Sequence, residues 1–200
     1  MKIHPFFFSL LLLILPFQGC EVANQAKKSI NLLKCDFRIR SVENVNMAGV
    51  SLQNINTVKD LNLTDMAKIL SGFASPVFPL TLQLNLEGRN PNSSPAGLNR
   101  IEWILFIDDI QMTTGILSQP FTIPANNGIA IIPMQIGIDL KTVLSGRSAK
   151  ALLNFGMNLA GYGNVPTRFK IKLKPSIVVG NYTLTYPGYI SVSTNYGSTQ

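Results

Sequence analysis

Four leucines at alternate positions constrain this chain more than any other feature. Leu80, Leu82, Leu84 and Leu86 alternate with Thr81, Gln83, Asn85 and Glu87. Successive side chains of a β-strand point to opposite faces, so a period of two describes a strand with one buried and one wet face. A polar loop, Arg89 to Asn99, follows. Then comes Ile101 to Ile107, with Trp103, Leu105 and Ile107 in one phase and Ile104 and Phe106 in the other. Apolar residues in both phases indicate a strand covered on both sides. The two runs read as a β-hairpin with a long loop.

The same pattern recurs along the chain. Phe37 and Ile39 alternate with Asp36, Arg38 and Arg40, and two short strands are expected over 34–46 and 48–57, joined near Met47-Ala48-Gly49. Asp109 to Gly115 supplies another strand. In Ile129 to Leu140, the residues Ile132, Met134, Ile136 and Ile138 are in phase, and Pro133 within the run indicates an edge position or a bulge. Leu140 to Leu144 reads as a helical turn. Leu153, Phe155, Met157 and Leu159 alternate with Asn154, Gly156 and Asn158, which reads as a strand. Phe169, Ile171 and Leu173 alternate with Arg168, Lys170, Lys172 and Lys174, and two last runs cover Ile177 to Leu184 and Gly188 to Val192. One helix is expected, Leu63 to Phe73, with Thr64 as N-cap and Met66, Ile69, Leu70 and Phe73 as its apolar stripe; Gly72 and Pro76 would end it. Many short strands with turn residues between them and a single helix argue for a mainly β protein, an antiparallel β-sandwich.

The amino terminus reads as an address. Lys2 precedes an apolar stretch, Phe6 to Phe17, of the length of a secretory signal and too short to span a bilayer. Gly19-Cys20 directly after it resembles a bacterial lipobox, in which the cysteine thiol receives a diacylglyceryl group and the chain is cut before it. Phe17 and Gln18 depart from the usual Leu and small residue of that motif. Ordinary secretion remains open, but it wants small residues first and third before the cut, and Phe17 fits it less well. The expected division is therefore 1–19 signal peptide, 20–33 a lipidated polar tether, 34–192 the β-sandwich and 193–200 a polar tail. Several acyl chains at Cys20 would give the stable anchoring that one chain does not. The expected location is the cell envelope, on the periplasmic face of the outer membrane, with the membrane as partner through the anchor.

That division leaves a mature chain of about 180 residues, enough for one domain with a real core. Removing Lys2 lowers the formal net charge from +7 to +6. The only histidine is His4, inside the signal. Its loss removes Ser-His-Asp and Cys-His nucleophilic catalysis, histidine-bearing zinc sites and histidine acid–base chemistry. Beyond Cys20 there is only Cys35, so a lipidated mature chain has no intrachain disulfide. Cys35 reads as a small buried apolar residue.

The order of elements resembles the LEA type 2 domain, also called the water-stress and hypersensitive-response domain. The points of likeness are an early strand pair, a short helix, a leucine-alternating strand ending in Asn90-Pro91-Asn92, and a strand leading to Thr113-Thr114-Gly115. Val178-Val179-Gly180-Asn181-Tyr182-Thr183-Leu184 and then Gly188-Tyr189-Ile190-Ser191-Val192 match the family's late part. The resemblance covers about residues 35 to 192, with a long insert after Asn92 as its departure. It implies an immunoglobulin- or fibronectin III-like antiparallel sandwich of about seven strands with one short α-helix, and no catalytic residues.

Several residue groups are candidates for chemistry. Arg168, Lys170, Lys172 and Lys174 project from one side of a strand. They read either as a contact for an anionic surface or as a solvated outer face or guarded edge. Asp108-Asp109 cannot converge on one cation as strand neighbours and reads as a turn. Glu87 and Glu102, on the two arms of the expected hairpin, are a carboxylate pair of the type glycosidases use, but nothing in the sequence makes them face each other or line a cleft, and no enzyme is expected. No cofactor, metal or nucleic acid is expected. The expected function is a non-catalytic, lipid-anchored interaction or envelope-protective module with an unidentified protein or lipid partner. The alternative is binding or transfer of a hydrophobic ligand between the sheets, among residues such as Met134 and Met157.

Overall fold

The leucine run lies at the centre of the first of two sheets. The structure, a computed structural model, describes residues 17–53, 55, 58–145, 149–159, 167–179 and 182–196. Strand β3 (Pro79–Asn90) pairs antiparallel on one side with β1 (Asp36–Met47), which continues into the short β2 (Val50–Ser51). On its other side it pairs with β8 (Gly128–Asp139), giving the order β2-β1-β3-β8. The β1–β2 connection is a two-residue turn with Ala48 at φ 51° and Gly49 at φ 81°. Positive φ at both central residues is what a type I′ hairpin requires. Pro133 does sit on an edge strand, opposite Asn85.

The second sheet holds β5 (Arg100–Ile107), β6 (Ile110–Leu117), β9 (Thr167–Val179), β10 (Tyr182–Thr185) and β11 (Ile190–Tyr196). Its order is β10-β9-β5-β6, with β11 also on β9. The expected hairpin of the two central runs is therefore corrected. β3 and β5 belong to different sheets, and the connection between them crosses the sandwich. β5 instead forms its hairpin with β6, through a turn in which Asp108 and Asp109 have φ of 48° and 63°. The long loop carries β4 (Ala96–Leu98), which pairs with β7 (Phe121–Ile123) in a small separate ladder.

The core is the space between the two sheets. Leu80, Leu82, Leu84 and Leu86 from one sheet and Ile101, Leu105, Ile107, Phe169, Ile171 and Leu173 from the other are all buried. Trp103 lies over Gly115 of the neighbouring strand, where a Cβ would collide with the indole. Trp103 and Gly115 are thus a matched pair.

The described residues hold four α-helical segments where one helix and one helical turn were expected: α1 (Phe17–Leu32), α2 (Leu63–Ala74), α3 (Leu140–Val143) and α4 (Ala149–Leu159). α3 is the expected helical turn. The strand expected over 151–159 is helix α4. Leu153, Gly156 and Met157 are its buried residues before Leu159, a spacing of three and four that alternation concealed. Gly156 lets the helix lie close on Met47 and Leu52. α2 lies where expected, but Asn62, not Thr64, is its N-cap: Asp65 N–H donates to Asn62 Oδ1 at 2.8 Å. Gly72 does not end α2. Its missing Cβ admits Ala48 at a position 2.6 Å away, and the helix runs on to a cap at Ser75. The polar tail is also shorter than expected, because β11 continues to Tyr196. The expected loop at 161–166 lies outside the described residues.

The expected tether is likewise corrected. Residues 20–32 belong to α1, whose last turn is docked on the domain. Asn31 Nδ2 donates to Pro95 O at 3.1 Å, Asn92 Nδ2 donates to Asn31 O at 3.0 Å, and Leu32 is buried. Asn90, 0% exposed, holds the loop in shape from below, donating to Ser94 O and Ile123 O. The Asn90-Pro91-Asn92 step is thus a latch between the amino-terminal helix and the sandwich.

Candidate functional site

The four basic residues of β9 lie together on the outer face of the five-stranded sheet. Phe169, Ile171 and Leu173 point into the core, so the alternate Arg168, Lys170, Lys172 and Lys174 point out. The guarded-edge reading is excluded. β9 has β5 on one side and β10 and β11 on the other, and no sheet edge is present there to protect.

The outward residues of the adjacent strands complete the face. β5 contributes Arg100, Glu102, Ile104 and Phe106, all partly exposed. This strand is therefore not fully covered on its second side; lysine stems shelter it instead. Lys170 Nζ is 5.9 Å and Lys172 Nζ 5.1 Å from the Phe106 ring centre. Lys174 Nζ stands 5.7 Å from the ring of Tyr189. Ammonium groups within about 6 Å of a ring face are attracted by its quadrupole. Beside them, Glu102, Ile104, Thr114, Ile116 and Tyr189 line a shallow, open depression with Trp103 and Gly115 at its floor. Ile116 is 52% and Tyr189 47% exposed.

Carboxylates are few here and sit at the margins. Asp109, in the β5–β6 turn, accepts from Lys170 Nζ at 2.8 Å and pairs with Arg168. Asp108 accepts the backbone N–H of Arg168 at 2.9 Å, which confirms the pair as turn residues. Glu102 pairs with Arg100 at 3.4 Å. Among the described residues, Lys172 and Lys174 have no carboxylate within 4 Å. Sequence reasoning found the cations but missed Phe106, Tyr189 and Ile116 as their neighbours. Phe106 stands in the outward phase of β5, and that phase was the available signal.

The two glutamates do not converge. Glu87 lies on the outer face of the four-stranded sheet and Glu102 on that of the other, with the core between them. Glu87 accepts a fork from Arg38, Nε to Oε1 at 2.7 Å and Nη2 to Oε2 at 3.0 Å, and a further bond from Arg40 at 3.1 Å. The Arg38 hydrogen bonds above all hold its carboxyl below the usual carboxylate range. It is structural, and on its sheet a second depression is lined by Asp36, Phe37, Arg38, Glu87, Arg89, Asn127 and Ile129. Met134 and Met157 are both buried in the core.

Cys20 falls within the first turns of α1. Cys35 follows that helix, and burial pushes its thiol up to about 11, with Asp36 adding to the effect. The side chain is half-buried rather than buried, and its Sγ donates to Asn31 O at 3.4 Å.

No family model matches this chain. No curated protein matches it either. Solved structures similar to it include a protein from Archaeoglobus fulgidus, at 10% identity and TM-score 0.35, covering 63% of this chain and 90% of that one. A protein from Arabidopsis thaliana solved in solution is similar at 12% identity and TM-score 0.38, covering 60% and 70%. A putative late embryogenesis abundant (LEA) protein is similar at 9% identity and TM-score 0.38, covering 96% and 86%.

Proposed function

We propose that this chain is a non-catalytic interaction module of the cell envelope, held to a membrane by acyl chains on Cys20. The observation that carries this reading is the docking of α1. Gly19-Cys20 lie in the first turns of a helix whose last turn is latched to the sandwich by Asn31, Asn92 and Leu32. Cys20 lies twelve residues before Leu32, about 18 Å at the helical rise. An acyl anchor there holds the domain on a short, stiff arm. The absence of histidine from the mature chain, and the separation of Glu87 from Glu102 onto opposite faces, support a role in binding over catalysis.

The test is the mass of the amino-terminal peptide after expression in a bacterial host, together with membrane fractionation. The expected result is a chain starting at Cys20 with diacylglyceryl and acyl groups, in the membrane fraction. A Cys20→Ser variant is then unprocessed. A mature chain that starts elsewhere with an unmodified thiol overturns the reading.

A further inference from the structure

We infer that the outer face of the five-stranded sheet is a docking surface for an anionic lipid headgroup layer. The inference rests on the anchored reading only in that the anchor brings the face to a membrane. Three observations converge. The face carries Arg100, Arg168, Lys170, Lys172 and Lys174 against Glu102 and the two turn aspartates, an excess of positive charge on one side of the sandwich. On β1 and β3 of the opposite face, Arg38, Arg40 and Arg89 are matched by Asp36, Glu43 and Glu87. Of the two outer faces this one alone carries a net positive charge, which makes it the one complementary to a negatively charged layer.

The second observation is the way in which the ammonium groups are held. Lys172 and Lys174 stand over Phe106 and Tyr189 instead of carboxylates. Their charge stays available to a ligand, while their stems and the half-exposed Ile116 and Tyr189 make an amphipathic layer. Aromatic rings with one wet end belong at the headgroup level of a bilayer. Lysine ammonium groups act as point charges without the planar fork that selects one carboxylate or phosphate. Such a row suits a fluid layer of headgroups better than a single shaped partner. The third is continuity: α1, which carries Cys20, packs against β9 itself and against β4 of the separate β4–β7 ladder. The helix that carries Cys20 thus touches the strand that carries the basic row.

The experiment is lysine footprinting of the full chain, bound to vesicles of phosphatidylcholine or of phosphatidylcholine mixed with phosphatidylglycerol. A water-soluble acetylating reagent marks accessible amines, and mass spectrometry reads each lysine. On mixed vesicles, labelling of Lys170, Lys172 and Lys174 falls severalfold, because the amines are attracted to the anionic leaflet and covered by it. Lys68 of α2, half exposed away from this face, keeps its labelling as the internal control. About 1 M salt restores the three lysines, because charges are then screened within about 3 Å. Labelling unchanged on both vesicles overturns the inference and leaves a face in water. Equal protection on both kinds also overturns it, since contact is then not with anionic headgroups. Protection seen only in native envelopes overturns it in favour of an acidic protein partner. The anchor is read separately: failure of acylation appears in the mass of the Cys20 peptide, whatever the footprint does.

Discussion

The two outer faces of this sandwich are built on the same kind of sheet and treat charge in opposite ways. On the four-stranded sheet, polar groups are used up internally. Gln135 donates to Gln83, Gln83 to Asn85 and Asn85 to Ser41, a hydrogen-bonded row across β8, β3 and β1. Beside it Glu87, its side chain 5% exposed, is closed over by two guanidiniums. On the five-stranded sheet, lysines rest on rings, and of the three only Lys170 also holds a carboxylate among the described residues. Charge-assisted forks give geometry and order, whereas ammonium groups on aromatic faces keep both charge and apolar stem available. The first face satisfies its charges internally and exposes only Ile129 and Ile131 as large apolar groups on β8, whereas the second keeps ammonium groups available for an anionic partner.

The largest effects are expected where the faces share a foundation. Leu84 lies under the first face and Leu105 under the second, both 0% exposed. Each truncation to alanine is expected to cost about 2–5 kcal/mol from lost burial and the residual cavity. Urea unfolding followed by Trp103 fluorescence and by circular dichroism measures it. If the two probes separate in either variant, the sheets are not one cooperative core and the faces must be treated as independent units.

A smaller effect should distinguish the faces themselves. Glu87→Gln leaves the Arg38 and Arg40 guanidiniums without their anion and is expected to lower stability clearly. Glu102→Gln, at an exposed pair, should stay within about 0.5 kcal/mol of the parent. Equal effects would remove the contrast. The acid limb sharpens it. The folded-state pKa of Glu87 is lowered by Arg38, and that of Asp139 by Thr142 and the Phe78 N–H. A depressed carboxylate contributes stability above its unfolded pKa, near 4 for these groups, and loses it as pH falls through the folded value. The gap between the parent and Glu87→Gln is therefore expected to be full at pH 6 and to close as pH falls well below about 4. A gap that is constant with pH would assign the effect to packing rather than charge.

Alternation in the sequence revealed most of the strands, because a period of two survives any tertiary arrangement. It could not reveal which strands pair. The run at Leu80 and the run at Ile101 are sequence neighbours, yet they face each other across the core, since the loop between them had enough length to cross and β4 anchors it on β7. Alternation also misled at 151–159, where Leu153, Phe155, Met157 and Leu159 fit a strand while Leu153 and Met157 also fit one helix face. The basic ladder was legible as cations on one side of a strand. Its aromatic floor depends on the β5–β9 register, which sets Phe106 beside Lys170, and register is not written locally. The docking of α1 was hidden for the same reason: Asn31 and Asn92 are ordinary polar residues until the fold brings them together.

The smallest expected effect tests whether lysines on rings differ in kind from arginines on a carboxylate. Lys172 lies 5.1 Å from the Phe106 ring centre at a half-buried site, where such a contact contributes about 0.5–1 kcal/mol. Phe106→Leu keeps most of the apolar area and removes the quadrupole. The double-mutant cycle of Phe106→Leu with Lys172→Met is expected to give a coupling of that size, little reduced by salt, because the contact is short and partly desolvated. Lys170 also stands over the same ring and holds Asp109, so the cycle with Lys170→Met should carry a salt-dependent component that the Lys172 cycle lacks. If both cycles respond to salt alike, Lys172 is acting as an ordinary surface charge, and the distinction between the faces reduces to their net charge alone.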